Sequence, residues 1–178
     1  MVPAGVFTTT DLVTICRAGL LAEGLTCDYF GMTSDEWRRN PYGVFTRKEV
    51  DDSLIVGDKF AQVVFCKRPR IHDKNHAQQG HFGIVLQDPF ILQALLRSSH
   101  PDLWTLSLFI MTHELVHIVR FRKFGIEFTG EVSVRDKEEI LVHSITKEIL
   151  TGVDNMNNMI RLYETHAGIP RSDTIYTS

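Results

Sequence analysis

Near the middle of the chain stands the run His113-Glu114-Leu115-Val116-His117, an HExxH pattern. Two histidines four apart on a helix project from one face, so both imidazoles can reach a single metal ion. The glutamate after the first histidine lies beside them and can serve as general base toward water activated by that ion. Neutral imidazoles and one carboxylate form a tetrahedral donor set with an open position, which suits Zn²⁺. With 8 His and 10 Glu in 178 residues, the pattern arises by chance in about one such sequence in fifty, before its helical setting is considered.

A third protein ligand is needed. HExxHxxGxxH is not continued here, because Arg120 and Lys123 stand where it requires glycine and histidine. The next source is Lys137-Glu138-Glu139-Ile140-Leu141-Val142-His143, which leaves room for a turn and a returning helix. Glu139, His143 and Thr146 share one edge of that helix. Glu139 is the preferred ligand, with His143 behind it or facing the substrate. His143 could instead be the ligand itself, giving a three-histidine site. Glu138 is the remaining alternative. It sits nearer the centre of the apolar stripe Leu141, Val142, Ile145 and Ile149, where an uncompensated carboxylate is costly.

These residues need elements to hold them. Proline and aspartate at 101 and 102 open a helix over 101–124 that Gly125 closes, with Leu106, Phe109 and Ile110 along it. Residues 126–134 read as a connection and 135–150 as the returning helix, stopped by Gly152. Upstream, Thr10 or Asp11 caps a first helix with Gly24 near its end, and Thr33-Ser34-Asp35-Glu36 begins a short helical turn. Asn40-Pro41-Tyr42-Gly43 reads as a turn. Residues 60–66 and 81–87 read as two strands of a long-loop hairpin, and Asp88-Pro89 starts a helix over 90–96. Asp154 caps a last helix over 156–167, in which Met156, Met159 and Leu162 face the core. The expected class is α+β: one mostly helical domain over 1–170, with a short sheet or hairpin before the HExxH helix and a flexible tail at 171–178.

Composition narrows the function. The formal charge of −3 and pI near 6.2 argue against a dedicated nucleic-acid binder. The basic runs Lys67-Arg68-Pro69-Arg70 and Arg120-Phe121-Arg122-Lys123 read as solvated faces, with Arg120 close enough to the metal edge to meet a substrate carboxylate or an acid such as Glu131. His72, His76 and His81 fall in or beside a polar loop without metal-ligand spacing. Cys16, Cys27 and Cys66 are an odd set with no CxxC, as expected of buried free thiols in a reducing compartment. The first residues carry no basic and apolar leader pattern, and the apolar-rich stretch 103–111 is too short to span a bilayer. The expectation is a soluble, cytoplasmic chain with no membrane partner.

The HExxH run, followed by a helix beginning Glu138-Glu139, resembles the zincin superfamily of zinc metallopeptidases, in particular the gluzincin branch and minimal zincins. The likeness covers about residues 104–150. The NExxxD signature of gluzincins is not present around Glu139. The resemblance implies a hydrolase acting on a peptide or protein, with Zn²⁺ on His113, His117 and Glu139 and with Glu114 as catalytic base. It also implies that the strand at 82–87 lies at a sheet edge and pairs with substrate backbone. The alternative is a metal-stabilised interaction or regulatory module on a zincin-like scaffold, without turnover.

Overall fold

The structure is a computed structural model and describes residues 5–57, 59–67, 80–97, 102–125, 132–154, 156–157 and 159–161. Thr8 and Asp11 form a reciprocal cap: the Thr8 hydroxyl accepts from the Asp11 amide, and the Asp11 carboxylate accepts from the Thr8 amide. Helix α1 (Thr9–Phe30) starts there and ends at Gly31, whose φ of 59° only glycine adopts cheaply. The expected start at Thr10 or Asp11 is thus moved back, and the expected stop near Gly24 is overruled. Gly24 lies within the helix on its open side. A mid-helix glycine costs about 1 kcal/mol, which the packing of the opposite face, through Ala18, Ala22 and Thr26, outweighs.

After α2 (Ser34–Arg39) the chain forms β1 (Tyr42–Phe45), where the sequence had suggested only a turn. Strands β2 (Ala61–Lys67) and β3 (Gly80–Leu86) follow, then α3 (Asp88–Arg97), α4 (Leu103–Phe124) and α5 (Val132–Ile149). The sheet order is β1-β3-β2, with β1 parallel and β2 antiparallel to β3. Gly43 and Gly83 are register partners across β1 and β3, and a Cβ built on either would come 2.7 Å from the Phe45 ring. Glycine at both positions lets that ring lie across the pair.

The hairpin of β2 and β3 is as expected, but the edge position of the 82–87 strand is not. Strand β3 is central, and both its edges are occupied by β1 and β2. It therefore has no free backbone row with which to pair a substrate.

Helix α4 is buried on every side from Thr105 to Val119, the pattern of a helix enclosed by other elements. Helix α1, strand β2 and helix α5 all pack against it. The Asp102 carboxylate accepts from the Thr105 amide at 2.8 Å and caps it. Its C-terminus meets Gly125, with φ of 62°. Helix α5 begins at Val132, inside the expected connection. It is seated by a small core of Val116, Val142, Ile145 and Ile149 under Leu25 and Phe30 of α1. Met156 and Met159 are buried in the main core, as expected.

Of the three thiols, only Cys27 is buried; Cys16 is exposed and Cys66 intermediate. His72, His76, Glu131, Leu162 and the tail at 171–178 lie outside the described residues, while His81 sits on β3 opposite Cys66. No described helix is long and apolar enough to cross a membrane.

Candidate metal centre

His113 and His117 occupy successive turns of α4, and their rings approach edge to face with centroids 4.9 Å apart. Burial of α4 on all sides leaves both imidazoles shielded, at 1% and 9% exposed. Helix α5 then brings Glu139 across from the opposite wall. Its Oε1 lies 2.9 Å from His113 Nε2 and its Oε2 lies 3.2 Å from His117 Nε2. Among the described residues, His113, His117 and Glu139 are the group whose ligand atoms all fall within 4.8 Å of one another. A tetrahedral ion with bonds of about 2.0–2.1 Å holds neighbouring donor atoms about 3.3 Å apart. The His113–Glu139 and His117–Glu139 distances are close to that spacing, so the three residues could hold a metal ion, and two imidazole nitrogens with a carboxylate are donors that suit zinc.

The rings are held by packing. His117 stacks on Phe121 with centroids 5.6 Å apart and planes 22° apart. His117 Nδ1, on the far side of its ring from Glu139, is buried with no hydrogen-bond partner among the described residues. Phe109 lies against both His113 (centroids 6.3 Å) and His143 (5.8 Å).

The two alternatives for the third ligand fall elsewhere. His143 is buried one turn beyond Glu139, with its ring centroid 6.5 Å from that of His113, and it is not part of the converging donor set. Glu138 turns aside to Arg120: Arg120 Nη2 donates to Oε2 at 2.9 Å and Nε donates to Oε1. This pair is what makes a carboxylate tolerable beside the apolar stripe. Arg120 thus meets a structural acid, as expected, but the acid is Glu138, a pairing that crosses between two helices; Glu131 lies outside the described residues.

Electrostatics follow from burial. Glu114 is 5% exposed. Burial pushes its carboxyl up to about 7, against the opposing pull of His117 and Lys59. Burial takes His113 down to about 4, despite its hydrogen bond to Glu139. Burial also opposes charge on His117, but the Glu139 hydrogen bond and the charges of Glu114, Glu139 and Glu138 outweigh it and raise this group. Glu139 is held far below the usual carboxylate range: its own burial works against ionisation, and the two imidazoles prevail. Without a metal, the cluster favours an ionised Glu139 and a neutral His113, and it favours the charged form of His117 more than water does. A divalent cation would compete with protons for the imidazole nitrogens.

No protein-family model, curated protein or solved structure matches this chain.

Proposed function

We propose that this chain is a zinc-dependent hydrolase of the zincin type, acting on a peptide or protein substrate. The observation that carries the reading is the convergence of His113 Nε2, His117 Nε2 and the Glu139 carboxylate, with Glu114 on the same helix between the two histidines. His113, His117 and Glu139 hold the ion. Zinc, when bound, supplies Lewis acidity to a carbonyl and to a water molecule. The Glu114 carboxylate takes a proton from the attacking water and returns it to the leaving amide nitrogen. Burial raises its basicity to near neutral pH, where a general base works best. The Glu139 side chain is 38% exposed, so the centre meets solvent on the α5 side.

The burial of Glu114 gives some support to a second reading, a metal-stabilised module without turnover. A closed structural zinc site needs four protein ligands, and the described residues supply three, which favours catalysis. The test is elemental analysis of purified protein together with a peptide-library cleavage screen. The hydrolase reading expects about one zinc per chain and zinc-dependent cleavage. Stoichiometric zinc without cleavage of any peptide would favour the second reading, and absence of zinc would refute both.

A further inference from the structure

We infer that the Arg120–Glu138 pair is a positioning clamp that sets which carboxylate of α5 reaches the metal position. The inference rests on the metal-binding reading above and adds residues to it.

Adjacent glutamates on a helix point about 100° apart, so rotation of α5 by roughly a quarter turn would exchange Glu138 for Glu139. The apolar contacts of Val142, Ile145 and Ile149 seat α5, and a polar contact at the level of the two glutamates adds a constraint on its rotation there. Arg120 lies one turn beyond His117 on α4 and grips both oxygens of Glu138 through Nε and Nη2. Both partners are largely buried, with side chains 13% and 11% exposed. A two-point fork constrains orientation as well as distance. The guanidinium is itself held over the Phe124 ring, with Cζ 5.6 Å from the centroid. One stretch of α4 therefore carries a ligand, His117, the ring stacked on it, Phe121, the clamp arginine and the ring beneath that arginine.

Two consequences follow. With Glu138 occupied, Glu139 is left facing His113 and His117. Glu138 is also held away from the His113–His117–Glu139 group, so an ion there would find one carboxylate, that of Glu139.

The test is zinc affinity, measured by chelator competition on the full chain, for wild type, Arg120→Met, Arg120→Lys, Glu138→Gln and the swapped pair Arg120→Glu/Glu138→Arg. Circular dichroism reports folding of each. Arg120→Met should weaken zinc binding about 10- to 100-fold, the range for groups that orient ligands. Arg120→Lys should recover part of the loss, because it restores charge without the fork. Glu138→Gln, which keeps the side-chain shape, should lose roughly tenfold. The swapped pair should bind more tightly than Arg120→Glu or Glu138→Arg made alone as its controls. In the Co²⁺-loaded Arg120→Met protein, the visible spectrum should change as Glu138 is freed to compete for the ion. If Arg120→Met and Glu138→Gln fold and bind zinc as wild type does, the clamp is overturned and the metal centre stands. If Arg120→Met does not fold, the Glu138→Gln affinity alone decides. A wild type that takes up no zinc overturns the clamp together with the metal reading.

Discussion

Glu139 of α5 and His113 of α4 meet at 2.9 Å across 26 residues of sequence, and the same carboxylate reaches His117 with its other oxygen. One side chain thus ties the third element of the centre to both imidazoles of the HExxH run. The helix that carries it is placed by Val142, Ile145 and Ile149, which pack on Val116 of the metal helix.

Replacing Glu139 by alanine should therefore abolish zinc retention under mild chelation. His143→Ala should keep zinc but weaken it about 10- to 100-fold, because the His143 ring lies beside that of His113 but is not among the converging donors. Zinc content after dialysis against a weak chelator separates the two. Loss in His143→Ala with retention in Glu139→Ala would reverse the assignment.

How legible this was depends on the distance over which each feature is determined. HExxH carries its own helical spacing, so His113, Glu114 and His117 could be read locally. Glu139 needed only the next helix and its charge run. The Arg120–Glu138 pair could not be read, since nothing in the sequence says which arginine of α4 faces which glutamate of α5. Strand β1 exists through its parallel pairing with β3, and an Asn-Pro-Tyr-Gly run shows only the turn before it. The central place of β3 has the same origin: strand order is a property of the assembled sheet. Gly24 looked like a stop because local propensity cannot see the face of α1 that packs on α4.

Stability of the metal-free protein should carry the signature of Glu114. Its folded carboxyl titrates near 7, against an ordinary value of 4.5. The fold therefore favours the protonated form: the contribution is fully present below the unfolded value and is lost as pH rises through 7. Glu114→Gln stays neutral throughout. It should match wild type near pH 4.5 and exceed it at pH 8 by up to about 3 kcal/mol. Urea unfolding of both proteins in chelator, across that range, measures the difference. A gap that stays constant with pH would show that Glu114 does not titrate in this way.

Phe109 is fully buried and lies against both His113 and His143. Phe109→Ala should cost about 3–5 kcal/mol of stability through the cavity it leaves. Thermal unfolding in chelator tests this without a metal contribution. A loss below about 1 kcal/mol would mean that the α4–α5 wall collapses onto the gap.

The most direct test of the central claim compares zinc-loaded wild type with zinc-loaded Glu114→Gln on one cleavable peptide from the library screen. The variant leaves His113, His117 and Glu139 untouched, so it should hold the same zinc. It cannot accept the proton of the attacking water, so turnover should fall about 10²- to 10⁴-fold. Equal zinc with equal turnover would contradict the account.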